Sequence, residues 1–384
     1  MSIEISELGQ ISRYNGVDIQ QTRHYIKSYN CTYIDKLCAH HDWIKRDTPA
    51  GEFPVPMKAD PDYQRRLETS EPLTPDMLAK VEKEFGFTYR QAVGEQLYAL
   101  VTCRPDISFA VTKLSQYSTR PSRTHFEAVK DVYRYLYATR NEGIYYWRKS
   151  PRMDLPLGEM PICKDDANYT ESDSIERQQH DAARLACAVD SDHAGDVSHR
   201  KSVTGICIKL AGGAILWKTA YQTTCALSST EAEFTAASAA GKYILYLRTI
   251  LQEIGIRQEE ATILYEDNQG ALLMANAQKP TKRTRHLDIK YFSLQDWVKN
   301  DLIELKRIST HDNWSDAMTK SQGRTLFHRH MNYILGKIVP NYTFRTMNLR
   351  TKVLCDTRIS SFYKPLMQLS REGVLRRFCA IPII

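Results

Sequence analysis

The 384-residue sequence has no apolar run approaching the ~20 residues that a membrane-spanning helix needs. Its nine cysteines, at 31, 38, 103, 163, 187, 207, 225, 355 and 379, include no Cys-x-x-Cys pair, which argues against a zinc ribbon. His40 and His41, near Cys31 and Cys38, match no common metal-ligand spacing, and the cysteines read as free thiols of a reducing compartment. The first residues, Met1 to Glu7, are acidic and do not resemble a secretory signal. The body of the chain also lacks a charge bias. The net charge is +7, but residues 337–384 hold nine Lys/Arg against two Asp/Glu, leaving 43 of each sign in residues 1–336. Bulk charge therefore says nothing about a substrate, and any affinity for nucleic acid must come from local patches.

What is present is a set of strand and helix patterns long enough for one large or two ordinary cores. Residues 9–45 alternate apolar and polar around a Gly16 turn and run into a short helical pattern at Tyr33–Leu37. Residues 49–75 concentrate prolines (Pro49, Pro54, Pro56, Pro61, Pro72, Pro75) and read as a linker or extended strap. Helical stripes follow, with Phe126, Val129, Val132, Tyr133 and Leu136 on one core-facing side. Residues 151–183 are polar and read as a linker or insertion. From 184 the pattern is a strand at 185–189, a strand at 203–210, a tight turn at Gly212-Gly213 and a strand from Ala214. A long alanine-rich helix over 230–254 ends at Gly255. A strand at 262–266, helices at 270–277 and 287–299, a strand at 302–308 and a helix at 314–319 complete the order. Three hairpin-linked strands followed by crossovers predict an α/β fold: a mixed sheet with helices on its faces.

Acidic residues fall at the ends of these elements. Asp190 closes the run Leu185–Val189, Asp267 closes Thr262–Glu266, Asp316 follows the strand at 302–308, and Glu231 and Glu233 lie on the first turn of the long helix. Each has a plain reading. Ser228 with Glu231, or Thr230 with Glu233, would make a capping box, and Asp190, Asp192 and Asp196 would solvate a turn. Taken together, carboxylates from separate strand ends and a helix start are how a fold collects hard oxygen ligands for Mg²⁺. Two such ions about 4 Å apart clamp the attacking and leaving oxygens of a phosphodiester. Trp217 and Trp314 read as core residues.

The runs Asp190-Ser-Asp-His-Ala-Gly-Asp196, Ser202-Val-Thr-Gly205, Leu227-Ser-Ser-Thr-Glu-Ala-Glu-Phe234, Tyr265-Glu-Asp-Asn-Gln-Gly270 and Arg283-Thr-Arg-His-Leu-Asp288 closely resemble the ribonuclease H domain of copia-type LTR retrotransposon Pol polyproteins. Upstream, Tyr89–Gly94, Thr102–Ile107 and Ala128–Leu136 look like the segment that follows the reverse-transcriptase palm in those polyproteins. The resemblance implies a ribonuclease H-like five-stranded mixed sheet over 184–336, preceded by a palm-end remnant (1–48), the proline-rich linker (49–75) and a helical thumb/connection-like segment (76–150). A basic, irregular tail (337–384) has no counterpart.

The resemblance also implies a catalytic and metal-binding set of Asp190, Glu233, Asp267 and Asp316, with Asp192 the fallback for Asp190. It implies two Mg²⁺ ions, with Mn²⁺ a substitute, and an RNA/DNA hybrid as substrate. Lys282, Arg283, Arg285 and His286, with Lys279, would form a basic patch for phosphates. His311 is a candidate for proton transfer or product release. A polymerase needs adjacent aspartates in an aromatic-x-Asp-Asp hairpin, and the sole adjacent pair here, Asp165-Asp166, lies in a linker pattern. The chain is therefore expected to be a truncated polyprotein part without polymerase activity, inside the cell in the cytoplasm or nucleus, unattached to membrane, and partnered if at all by the polymerase portion. The competing expectation is a catalytically dead retroelement fragment that at most binds nucleic acid. An integrase or exonuclease of the same fold would need a different carboxylate set.

Overall fold

The computed structural model describes residues 11–22, 24–46, 48–49, 52–148, 184–193, 200–276 and 288–337. Two sheets organise them. The first is antiparallel, in the order β1 (Arg13–Tyr14), β2 (Val17–Gln21), β3 (Tyr25–Tyr29) and β4 (Gly143–Trp147). Between β3 and β4 the chain forms α1 (Cys31–His40), α2 (Trp43–Arg46), α3 (Pro61–Thr69), α4 (Pro75–Phe85), α5 (Tyr89–Cys103), α6 (Ser108–Ser115) and α7 (Arg123–Ala138). Helix α3 arises inside the proline-rich stretch because Asp60 caps it, accepting the Tyr63 N–H at 2.7 Å, and Pro61 sits at the first turn, where its missing N–H costs nothing. Its Tyr63 and Leu67 are buried. Strand β4 was not visible in the sequence: Gly-Ile-Tyr-Tyr-Trp shows no alternation, because both its faces are largely covered.

The second sheet is mixed. Its order is β7 (Gly213–Tyr221), β6 (Val203–Leu210), β5 (Ala186–Asp192), β8 (Thr262–Glu266) and β9 (Ile303–Arg307). β7, β6 and β5 are antiparallel neighbours, whereas β5, β8 and β9 run parallel. Helix α8 (Ser229–Glu253) carries the chain from β7 to β8, and α9 (Gln269–Asn276) and α10 (Asp288–Lys299) carry it on to β9. A 3₁₀ turn, Trp314–Met318, and α11 (Arg324–Ile334) follow. This is a mixed sheet with flanking helices resembling a ribonuclease H-like architecture, preceded by a helical region. The β6–β7 hairpin turns on Ala211 and Gly212, both at positive φ, one residue before the expected pair. Asp190 lies two residues inside β5, which runs on to Asp192.

Alternation along the strands sends side chains to two cores. Cys187, Val189, Ile206 and Ile208 meet Phe234, Ala236, Ala237 and Ala240 of α8, whose small residues bring the helix close to the sheet. Ala188, Cys207, Ala214 and Tyr265 join a core that continues through Trp314 and Phe327 into Leu100, Leu114 and Ile144 of the N-terminal region. Polar ties cross the same boundary. Trp217 Nε1 donates to the Leu100 carbonyl at 3.0 Å, Tyr146 Oη to Ala214 at 2.8 Å and Trp147 Nε1 to Gly336 at 2.7 Å. The free edge of β4 is covered as well, its Tyr145 and Trp147 N–H groups reaching Leu335 and Ala211 at 2.8 Å each. The apolar surface that an isolated N-terminal segment would expose is thus buried on the second sheet. No helix among the described residues is long and apolar enough to cross a membrane.

Candidate active site

Parallel β5 and β8 end side by side, and the start of α8 lies against them. At this end Asp190, Glu233 and Asp267 bring one carboxylate oxygen each within 4.8 Å of one another. Local chemistry explains the convergence. Ser228 caps α8 by accepting the Glu231 N–H at 3.2 Å, and Glu231 Oε2 accepts the Leu227 N–H at 2.8 Å. The capping role therefore falls to Glu231, while Glu233, two residues on, turns inward and is buried. Gln222 ties the helix to the strands, its Nε2 donating to Thr204 Oγ1 at 3.0 Å and to the Ala232 carbonyl at 2.9 Å. Gly270 lets α9 approach the start of α8, since a Cβ there would stand 2.8 Å from Thr230 Oγ1.

Asp316 reaches the same end from the 3₁₀ turn. Asn313 anchors that turn, donating from Nδ2 to the Val189 carbonyl at 3.0 Å and accepting the Ser315 hydroxyl at 2.6 Å. Gly205, opposite Asp190 on β6, makes the close approach possible: a Cβ there would lie 2.8 Å from the Ser315 carbonyl oxygen. Thr319 donates to Asp190 Oδ2, and Lys320 forms an ion pair with Asp316 Oδ1. Gln322 Nε2 donates to Asp316 Oδ2 at 2.6 Å, and its Oε1 lies 3.1 Å from Nδ1 of the buried His330. Asp267, half-buried, accepts the Thr310 hydroxyl at 3.0 Å, and the adjacent His311 is exposed. Asp192 is less buried than Asp190, whose oxygen is the one that joins the cluster. Lys282, Arg283, Arg285 and His286 lie outside the described residues, as does Lys279.

The electrostatics follow from burial of like charges. Asp190 is pushed up to about 7, first by burial and then by its neighbour Asp316. Glu233 is raised further by burial, then by Glu266, Asp190 and Asp267. Glu266 was read from sequence as no more than the end of a strand, yet it is completely buried beside this group. One oxygen of Glu233 and one of Glu266, Oε2 in each, have no hydrogen-bond partner. A buried carboxylate oxygen left without a donor is costly unless a cation meets it. The donor set is all hard oxygen, which fits a divalent ion of the Mg²⁺ or Mn²⁺ type.

A second group could hold a divalent ion by proximity. His40, His41 and Glu95 also place ligand atoms within 4.8 Å of one another. Sequence spacing did not reveal it, because Glu95 comes from α5, far along the chain. Here the carboxylate is already satisfied: His41 Nε2 lies 3.0 Å from Glu95 Oε2, Tyr133 donates to the same oxygen, and Gln91 donates to Oε1 at 2.9 Å. Burial would raise Glu95, but these hydrogen bonds outweigh it and hold the group down at about 2.

No protein-family model matches the chain. It is 33% identical over 261 residues to the retrovirus-related Pol polyprotein from transposon TNT 1-94 of Nicotiana tabacum, covering 68% of this chain and 17% of that polyprotein. It is 29% identical over 239 residues to the retrovirus-related Pol polyprotein from transposon RE1 of Arabidopsis thaliana, covering 62% and 14%. It is 35% identical over 159 residues to the secreted RxLR effector protein 161 of Plasmopara viticola, covering 41% of this chain and 90% of that protein. The chain thus spans about a sixth of the length of the polyproteins it matches. The chain is thus homologous, at modest identity, to copia/Ty-like retrotransposon Pol polyproteins over about 60% of its length.

Proposed function

We propose that the chain is a divalent-metal-dependent ribonuclease H, an endonuclease that cuts the RNA strand of RNA/DNA hybrids. The observation that carries this reading is the meeting of Asp190, Glu233 and Asp267 at the end of parallel strands, with a buried carboxylate oxygen left unpartnered. Homology to Pol polyproteins supports it. Two Mg²⁺ ions, or Mn²⁺ in their place, would supply an activated water and positive charge at the leaving 3′-oxygen.

In this reading Asp190, Glu233, Asp267 and Asp316 would hold the ions. Thr319 holds Asp190 by its hydroxyl. Gln322 and Lys320 hold Asp316, with Lys320 balancing its charge. Thr310 orients Asp267. Contacts to the 2′-hydroxyls and the duplex shape would select the hybrid, and Lys282, Arg283, Arg285 and His286 would add phosphate contacts.

The test is cleavage by the full chain of a labelled RNA/DNA hybrid beside matched duplex DNA and duplex RNA, with and without Mg²⁺. Cutting confined to the RNA strand of the hybrid, dependent on Mg²⁺ and abolished in a folded Asp267→Asn variant, is the expected result. Failure of the folded chain to cut any substrate would reduce it to a catalytically dead retroelement fragment.

A further inference from the structure

Glu266 has no part in the mechanism just given, yet it is the most deeply buried carboxylate among the described residues. The buried carboxylates of the N-terminal region, by contrast, have a donor or a cation on each oxygen. Asp106 has the guanidinium of Arg104, and Asp18 has the Thr32 hydroxyl and N–H. Glu266 accepts the Asn268 N–H on Oε1 at 3.1 Å and has nothing on Oε2. The ionisable groups around it, Asp267, Asp190 and Glu233, are all carboxyl groups, with no cation among them.

Its place in the fold follows from strand alternation. Leu264 packs in the core beneath α8, so Glu266, two residues on, faces α8 and Glu233. Tyr265 faces the other way, its ring 5.4 Å from that of Trp314. The start of α9, brought close by Gly270, covers this corner from outside. Glu266, with its orphan oxygen, therefore stands behind Glu233 of the Asp190–Glu233–Asp267 cluster, where water does not reach it.

We propose that Glu266 is a fifth carboxylate of the cation site, a positioning residue that stands behind Glu233 and strengthens divalent-ion binding by its charge. The inference rests on the metal reading of the site given above. It makes the bound ion part of the folded structure: without it, the buried Glu233–Glu266 corner has no counter-charge for its carboxyl groups, and with it the corner would be neutralised. The negative charge of Glu266, rather than its packing, is what the site uses.

The experiment compares the full wild-type chain with Glu266→Gln and Glu266→Asp by Mn²⁺ titration, followed by electron paramagnetic resonance, and by melting temperature with and without Mn²⁺. Glu266→Gln is expected to melt higher than wild type in cation-free buffer and to bind Mn²⁺ more weakly, on the order of tenfold. Glu266→Asp, which keeps the charge, is expected to bind within a few-fold of wild type. A packing role predicts the opposite pattern. Glu266→Gln melting below wild type without ions, with unchanged Mn²⁺ affinity, would overturn the proposal, as would equal loss of affinity in both variants. The two readings separate on the hybrid substrate. A wild-type chain that binds Mn²⁺ in a Glu266-dependent way but does not cut would retain this inference and reject the nuclease. A wild-type chain that binds no Mn²⁺ would reject both.

Discussion

The two halves of the molecule bury charge in opposite ways. In the N-terminal region, each buried carboxylate meets its counter-group. Arg104 grips Asp106 with Nε at 2.9 Å and Nη2 at 2.7 Å, and Tyr135 adds its hydroxyl at 2.8 Å. One guanidinium nitrogen, Nη1, has no acceptor, but the charges cancel. Glu95 takes His41, Tyr133 and Gln91. In the C-terminal sheet, Asp190, Glu233 and Glu266 face one another, and two of their oxygens face no donor. The N-terminal region neutralises its buried charge by ion pairing, whereas the acidic cluster keeps buried oxygens that a cation would satisfy. The His40–His41–Glu95 group shows why proximity alone does not separate the two cases. Its ligand atoms are as close as those of the acidic cluster, but its carboxylate is already spent on hydrogen bonds.

The comparison can be broken first at the structural pair. Arg104→Ala leaves Asp106 charged and buried without its partner, and should cost about 3–5 kcal/mol of unfolding free energy by urea denaturation. Charge removal at the acidic cluster should do the reverse in cation-free buffer, with Asp190→Asn melting no lower than wild type. Next is Gly205→Ala. Its methyl group would collide with the Ser315 carbonyl and Thr319, so the 3₁₀ turn must shift at a cost of about 1–3 kcal/mol. Hybrid cleavage should fall more than stability does, because Asp316 and Thr319 move away from Asp190.

The pH dependence sharpens the contrast. Asp190 rises from 3.8 to about 7 on folding, so between those values the folded chain holds a proton that the unfolded chain has lost. Its contribution to stability is full below about pH 4 and is lost as pH rises through about 7. Cation-free melting temperature should therefore fall across that window, and saturating Mg²⁺ should flatten the fall. Glu95, held down at about 2, contributes with the opposite slope, losing its share as pH drops below the ordinary glutamate range. The smallest effect expected is Ser228→Ala, which removes the α8 cap at about 1 kcal/mol, with Glu233 still carried by the helix body.

Much of the C-terminal sheet was legible because its cues are local. The apolar run before Asp190, the alanine face of α8 and the turn near Gly212 each report on their own neighbourhood. The N-terminal sheet was less legible, since β3 and β4 are more than a hundred residues apart and β4 lacks alternation. Helix α3 was hidden by the prolines around it, although Asp60-Pro61 is itself a helix-start signal. At the site, Asp190, Glu233 and Asp267 stood out as carboxylates at element ends. The long-range partners did not. Glu266 reads as the polar end of a strand until tertiary packing buries it, and the hold of Gln322 on Asp316 depends on a turn that no spacing rule describes. The basic residues Lys282, Arg283, Arg285 and His286 lie outside the described residues, so their role rests on composition.

The most direct measurement is the melting temperature of the full chain at neutral pH across a Mg²⁺ titration, beside Asp190→Asn. Unpaired carboxylates that form a cation site predict a saturable rise in melting temperature for wild type, largely lost in the variant. A wild-type chain whose melting temperature does not respond to Mg²⁺ or Mn²⁺ would contradict the account.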